Sequence, residues 1–431
     1  YGAGNERNSR TETGAGAKAS GVGGFMTEEP RPLALLHATA ITPFRREEDC
    51  TLVLNDGRIS QMGRSRDVGV PEDAERIDLD GQYVLPGFID VHIHGGRGYD
   101  FADDAPHGFD EICAFHASHG TTSIVAAIYA QPREQMYACI RRLREYCEAA
   151  PSFRILEGIH LEGPFLNPQM HGAIRPEYMW PPSEEAFVEL MAVGGPWIMI
   201  MTIAPEMPGA MEVLRAAAMV ESSRTAVGKA RHRPLHLSIG HSNARYELIS
   251  EAIDNGLDGV THIFNAMSGM HHRKPGILTG TLLRDELFVE VIADAVHVHP
   301  AMLQLLLKVK KHDKILLVTD AIRAAGQPDG TYDFSGQQVI VRDGRAYLAR
   351  SPETLAGSTL TMDRALRTII QHGGASLEQA AQMASLNAAR ILAWKYRRGI
   401  LAVGKDADLV VLDSNLDVRL TIKAGHVVWR A

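Results

Sequence analysis

The sequence predicts an α/β protein: a parallel (β/α)8 barrel with a small β-sandwich domain built from both chain ends. Three observations lead there. Short apolar runs alternate with amphipathic stretches eight times through the middle of the chain. The two ends lack that alternation and read as short strands joined by turns. Finally, 431 residues are enough for one large domain and a smaller one.

Taken in order, residues 1–25 are rich in Gly, Ala and Ser without apolar periodicity, which predicts a disordered or tag-like extension. They hold no apolar core of a signal peptide, and Met26 is the start expected if they are such an extension. Residues 26–82 carry expected strands at Ala34–Ala38, Cys50–Leu54 and Arg58–Met62, the last two joined by a turn at Asn55-Asp56-Gly57. Residues 396–431 answer with strands in Ala407–Leu412 and Leu420–Trp429, the latter broken by a turn at Ala424-Gly425. Both ends are therefore expected in one β-domain, with residues 83–395 as the barrel.

Within the barrel the expected strands are Gln82–His92, Thr122–Tyr129, Arg154–Leu161, Ile198–Ile203, Pro234–Gly240, Gly259–Phe264, Phe288–Ile292 and Lys314–Val318. Amphipathic helices are expected at Phe109–His119, Glu134–Glu148, Glu184–Val193, Met211–Val220, Arg245–Asn255 and Pro300–Lys310. Helices at Leu360–His372 and Leu377–Ala393 would close the ring. A doubly wound open sheet shares this local signature. Residues Gly330–Arg350 alternate apolar and polar, with turns expected at Asp329-Gly330 and Asp343-Gly344, so a β-hairpin is expected near the barrel mouth.

Composition narrows the function. A formal net charge of −8 leaves no footprint for nucleic acid or an anionic membrane. No apolar run reaches the roughly 18–20 residues of a spanning helix. The four cysteines, Cys50, Cys113, Cys139 and Cys147, form no C-x-x-C or secretory framework, so reduced thiols and a cytoplasmic location are expected.

The chemistry starts in Leu85–His94, where a turn at Pro86-Gly87 leads into a buried strand. His92 and His94 stand two apart on an expected strand, so their side chains share a face, as metal ligands at a strand end do. In such barrels the working residues sit at C-terminal strand ends. Glu162, His241, His262 and Asp320 all fall at such ends. Burying six imidazoles and carboxylates together without a cation costs on the order of a few kcal/mol each, so a divalent metal site is expected. Its N/O donors suit Zn, Fe, Co or Mn. Six donors exceed one tetrahedral ion: either one ion leaves a pair idle, or two ions share Glu162. His160 and His236, inside strands, read as core histidines. Serine-hydrolase and zincin chemistry are excluded, since G-x-S-x-G and H-E-x-x-H are missing.

Seven motifs, LPGFIDVHIHGG, HLEGPFLNP, GHSNA, THIFNAM with HHRKPG after it, ADAVHVHP, LVTDA and TLAGSTLTMDRAL, follow one another in the order found in the N-acetylglucosamine-6-phosphate deacetylases of the amidohydrolase superfamily, which this chain resembles from Leu33 to Trp429. The terminal GKDADLVVLD resembles that superfamily's closing strand pair. The resemblance implies metal-dependent hydrolysis of an N-acetyl amino sugar phosphate. Glu162, His241 and His262 would hold the principal ion, and His92 and His94 a second position. Asp320 would be general base and then acid. Asn265 and Ala266 would contact the phosphate, with Arg273 reaching it from the neighbouring subunit of a homodimer. His297 would line the sugar pocket, with Ala173 and Leu355, Ala356 and Gly357 at its edges.

Two positions depart from the family pattern. After the EGPF stretch the family has K-G-A-H, whereas this chain has His171-Gly172-Ala173-Ile174, and Ile174 donates no hydrogen bond. His171 is the residue expected to fold in as a substitute. Arg323 stands where a small or apolar residue is usual and adds an expected cation at the mouth. The leading reading is deacetylation of N-acetylglucosamine 6-phosphate. Its alternatives are another N-acetylated amino sugar, such as N-acetylgalactosamine 6-phosphate, and a non-catalytic relative on the same barrel, which the complete ligand set argues against.

Overall fold

The computed structural model describes residues 31–431 apart from 150, 152 and 227–234, with the backbone alone for 220–226. The extension expected over residues 1–25, and Pro234 as a strand start, lie outside the described residues. No described helix is long and apolar enough to cross a membrane.

Eight parallel strands make the barrel: Phe88–Ile93, Thr121–Tyr129, Leu156–Glu162, Ile198–Ile203, His236–Ile239, Gly259–Val260, Phe288–Ile292 and Ile315–Val318. Each is hydrogen-bonded to the next in sequence order, without the reversal of a doubly wound sheet. The seam between first and last strand is bridged at their C-terminal ends. There the Asp320 N–H donates to the His92 carbonyl at 2.8 Å, and the His94 N–H to the Ala321 carbonyl at 2.8 Å. Below them the Thr319 hydroxyl donates to Asp90 Oδ2 at 2.6 Å.

The strands form where the sequence is apolar without alternation, because helices cover one face and the barrel interior the other. All of Thr121–Tyr129 is buried. The helix that follows, Arg133–Glu148, buries Met136, Cys139, Ile140, Leu143 and Cys147, a stripe at helical spacing. Ser183 caps the helix Glu184–Gly194 by accepting the Ala186 N–H. The helix Gly276–Leu283 escaped the sequence reading because its apolar residues do not keep to one face: Ile277, Leu278 and Leu282 are all buried, as are Gly280 and Thr281.

Strands from the two chain ends form one eight-stranded sheet. Leu35, Leu52, Ile59, Val84, Leu409, Val411 and Ile422 are buried together in its core. An ion cluster ties it to the barrel: Lys423 Nζ lies 3.0 Å from Asp408 Oδ2 and 2.5 Å from Glu157 Oε1, and Arg398 Nη1 lies 2.7 Å from the same Glu157 oxygen.

Two expectations need correction. The strand expected over Gln82–His92 is two strands. Tyr83–Pro86 pairs antiparallel with Leu409–Leu412 in the terminal sheet, and Phe88–Ile93 opens the barrel. Gly87 separates them, since a Cβ there would stand 2.2 Å from Thr122 Oγ1. The turn expected at Pro86-Gly87 is where the handover falls. The expected hairpin is a four-stranded antiparallel sheet, Gly330–Phe334, Gln337–Arg342, Arg345–Leu348 and Ser351–Leu355. Asp329-Gly330 is not a turn: Gly330 begins a strand, while Asp329 Oδ2 accepts the Asp343 N–H at 2.6 Å and so holds the neighbouring turn.

Candidate active site

Six side chains converge at the C-terminal end of the barrel. Glu162 is the last residue of its strand, and His94 follows the end of the first. His241, His262 and Asp320 each stand two residues past a strand ending at Ile239, Val260 and Val318. All three have left-handed backbones, with φ of 46°, 32° and 51°. Such conformations cost an L-residue roughly 1–3 kcal/mol and persist where the surroundings enforce them, typically at functional sites. Here one backbone device turns three side chains inward.

The donors sit close together. Glu162 Oε1 is 3.0 Å from His241 Nε2 and 3.2 Å from His262 Nε2. The two histidine nitrogens are 3.1 Å apart. Glu162 Oε2 is 3.3 Å from His94 Nε2, which in turn is 3.1 Å from Asp320 Oδ1. Within each of two sets, Glu162/His241/His262 and His92/His94/Glu162, the ligand atoms lie within 4.8 Å of one another. Glu162 belongs to both.

Hydrogen bonds on the far side of the rings fix which nitrogen faces the cluster. His241 Nδ1 is 2.9 Å from the Met170 carbonyl, His94 Nδ1 is 3.2 Å from the Ala127 carbonyl, and His92 Nδ1 is 2.9 Å from Glu290 Oε2. Each outer nitrogen donates, so Nε2 is the nitrogen that faces inward and is left to ligate. His92 Nε2 is buried and finds no hydrogen-bond partner among the described residues. The donor set therefore fits a divalent cation.

The electrostatics agree. Burial opposes charge on His92 and His94, yet nearby carboxylates outweigh it: Glu290 above all raises His92 well above the ordinary histidine value, and Asp320 with Glu162 lifts His94 to about 9. Burial also opposes charge on Glu162, Asp320 and Glu290, and the imidazoles hold all three carboxyls below their usual range. The cluster draws positive charge to itself, and a metal ion meets that demand.

A cavity of about 280 Å³ opens over the cluster, near the small end of the roughly 300–1,000 Å³ typical of ligand pockets. Of the residues expected in it, Ala173, Asn265, Ala266, His297, Leu355 and Gly357 line it with Asp320. His297 Nδ1 is 2.7 Å from Asp294 Oδ2. Gly357 has φ +57°, and a Cβ there would stand 3.0 Å from the Asp320 carbonyl, so the chain passes close beside the expected base.

Other expected residues lie elsewhere. Ala356 is fully buried behind the wall, packed with Ile322 and Phe334 rather than lining the cavity. Arg273 is exposed and does not line it either. His171 does not fold in: its Nδ1 turns back to the Ile174 carbonyl at 3.1 Å. Arg323 is no free cation at the mouth, because Asp103 Oδ1 holds its guanidinium at 2.7 Å. His160 is a satisfied core residue, bonded to the Val91 carbonyl and the Thr202 hydroxyl, and burial pushes it down to about 3. His236 is likewise structural, 2.7 Å from Asp258 Oδ1.

Sequence reading missed Glu290, whose one signal was a carboxylate inside the apolar run Phe288–Ile292. It also missed Phe334, Glu353 and Thr354, which line the cavity from the inserted sheet.

Comparison with known proteins gives a consistent picture. Residues 83–428 match the amidohydrolase family. The N-acetylglucosamine-6-phosphate deacetylase of Lysinibacillus sphaericus is 34% identical over 92% of this chain and 97% of its own. The N-acetylgalactosamine-6-phosphate deacetylase of Escherichia coli O157:H7 is 35% identical over 79% of this chain and 86% of its own. Among solved structures, a variant of the Mycobacterium smegmatis N-acetyl-D-glucosamine-6-phosphate deacetylase, in complex with N-acetyl-D-glucosamine 6-phosphate, superposes with a TM-score of 0.83 at 31% identity, over 93% of this chain and 100% of its own.

Proposed function

Because the chain belongs to the amidohydrolase family, we propose that it hydrolyses the acetamide of N-acetyl-D-glucosamine 6-phosphate to D-glucosamine 6-phosphate and acetate. The observation that carries this is the convergence of Glu162, His241, His262, His94 and Asp320 on one cavity at the barrel mouth, with His92 grouped with His94 and Glu162.

Glu162, His241 and His262 would hold the principal cation, and His92 with His94 would offer a second position. N and O donors suit zinc, iron, cobalt or manganese. A divalent ion bound there acidifies water and polarises an amide carbonyl. The rest is done by side chains. Asp320, kept anionic by His94 and His92, takes the proton of the attacking water and delivers it to the amine nitrogen as the C–N bond breaks. His297, its Nδ1 engaged by Asp294, presents its other nitrogen to a sugar hydroxyl.

No Lys or Arg is found among the described residues lining the cavity, so a phosphate dianion needs a cation from outside it. We assign that role to Arg273, exposed on its loop and contributed by the second subunit of a homodimer, with Asn265 and Ala266 completing the phosphate site. A guanidinium fork suits phosphate because it bonds two oxygens at once. The four cysteines are free, which supports the cytoplasm as the compartment.

A second reading, N-acetylgalactosamine 6-phosphate as substrate, is favoured by the similarity to the E. coli deacetylase of that sugar phosphate. A panel of N-acetyl amino sugars, with and without the 6-phosphate, decides between them. Higher kcat/KM on the glucosamine compound supports the first reading. Higher kcat/KM on the galactosamine compound replaces it.

A further inference from the structure

Glu290 is a carboxylate in the middle of a barrel strand, 3% exposed, where an apolar residue would be expected. Its Oε2 accepts the Nδ1–H of His92 at 2.9 Å and the backbone N–H of His262 at 3.3 Å. Its Oε1 is buried with no hydrogen-bond partner among the described residues. A buried carboxylate with one oxygen unpaired costs several kcal/mol unless positive charge stands close by. A cation held on the far edge of the His92 ring would supply it: there Nε2 faces Glu162 and Asp320 at 3.6 Å, beyond hydrogen-bond reach. Carboxylate, imidazole and an inward lone pair therefore lie in series, and the series ends at a point without a protein partner.

We propose that Glu290 is the positioning residue that makes the His92–His94 side of the cluster a second cation position. It fixes the ring of His92, directs its lone pair inward, and passes negative charge through the imidazole to whatever binds there. The side held by Glu162, His241 and His262 does not depend on Glu290 in this way: the His241 ring is oriented by the Met170 carbonyl, and Glu290 meets His262 only at its backbone N–H. His160, though near His92, is no competitor for the ion, because both its ring nitrogens are already bonded. The inference rests on the proposed function only through the cation cluster, and it is tested without substrate, so failure of one is distinguishable from failure of the other.

The experiment is equilibrium dialysis of the full chain against a cobalt(II) series, read by metal content per chain and by visible absorption, with urea unfolding as a control. The wild type is expected to take two ions in two steps. Glu290→Gln keeps an acceptor oxygen but removes the charge; it should weaken one step roughly 10–100-fold, the usual cost of losing such an outer partner, and leave the other within about threefold. Glu290→Asp, with the charge one methylene back, should fall between, and serves also if the Gln variant folds poorly. In a His92→Asn background, which lacks the same ion, adding Glu290→Gln should change nothing further. A wild type that binds one ion overturns the proposal. So does an equal shift of both steps, or no shift in either.

Discussion

His241 Nε2 and His262 Nε2 lie 3.1 Å apart and share Glu162 Oε1 as a neighbour at 3.0 and 3.2 Å. Two imidazole lone pairs repel at that separation unless a proton or a cation stands between them. The left-handed backbones at both histidines add strain. Cation binding is therefore expected to be a stability term as well as a catalytic one. Stripping the protein with a chelator at neutral pH should abolish turnover and lower Tm by a few degrees, and Zn, Co, Mn or Fe should restore both. Saturation at about 100 times Kd is worth roughly 2.7 kcal/mol. An unchanged Tm across stripping and reloading would show that the cluster folds as well empty as filled.

Asp320→Asn is the sharpest test of proton transfer. Asn keeps the size and can still donate to or accept from His94, but it cannot take a proton from water. Loss of a positioned general base costs roughly 10²–10⁴-fold. Expected are kcat reduced within that range and metal content per chain near that of the wild type. Turnover retained within a factor of a few would remove Asp320 from the mechanism.

Arg273→Ala separates phosphate recognition from chemistry. Its exposure on the described chain means that truncation should leave folding untouched. KM should rise for 6-phosphorylated substrates, by about 10–100-fold if a charge-assisted pair of roughly 1.5–3 kcal/mol is lost, while kcat/KM for the unphosphorylated sugar stays constant. Equal losses on both substrates would place the phosphate elsewhere. Mixing Arg273→Ala with Asp320→Asn protein extends the test, since an active hybrid requires the arginine and the aspartate to serve one site from different subunits.

Much of this was legible in the sequence because of where the chemistry sits. A barrel puts its working residues at strand ends, so Glu162, His241, His262 and Asp320 could be found by reading where each apolar run stopped. Residues that support them from inside a strand or from another element were not. Glu290 hides in the run Phe288–Ile292, and its partner His92 is 198 residues away. Phe334 and Glu353 reach the cavity only because the inserted segment folds as four strands and not two. Arg323 was misread because its neutralising Asp103 is 220 residues distant. The turn at Pro86-Gly87 was legible, but its consequence was not: that the residues before it join the terminal sheet depends on pairing with Leu409–Leu412, more than 300 residues away.

Ile174 gives the cavity an apolar side next to the cluster. It is 2% exposed and packs in a group with Tyr129, Leu166 and Phe334. The Phe334 ring stands edge-on to His94 with centroids 5.6 Å apart, and a Cβ at Gly172 would lie 3.4 Å from the His241 ring. With the acyl group bound over the cluster, as the proposed reaction requires, a hydroxyl on its methyl would face Ile174 and Phe334 without a partner. The N-acetyl substrate is expected to exceed its N-glycolyl analogue in kcat/KM, by no more than about 10²-fold, the limit for an apolar pocket rejecting an added hydroxyl. Ile174→Thr should narrow the ratio. A wild-type ratio near one would show that the acyl group points away from this wall.

The ion cluster between the terminal sheet and the barrel sets a pH dependence of stability apart from catalysis. Burial works against the Glu157 carboxylate, yet Arg398 and Lys423 hold its carboxyl down at about 2. In the unfolded chain a glutamate titrates near 4.3. For a carboxyl depressed on folding, the stabilisation is fully present above the unfolded value and is lost as pH falls through it toward about 2; the amount is on the order of 3 kcal/mol. Glu157→Gln removes this contribution and leaves Lys423 and Arg398 with their remaining partners, Asp408 for the first and Asp406 and Asp408 for the second. The variant should therefore be less stable than the wild type at pH 7, and the gap should narrow to about half as pH is lowered from about 5 to 3. Urea midpoints across that range give the gap directly. Other depressed carboxyls, such as Asp363 at about 2, titrate alike in both proteins and cancel in the difference. A gap that stays constant down to pH 3 would mean that the cluster contributes through packing and not through the charge on Glu157.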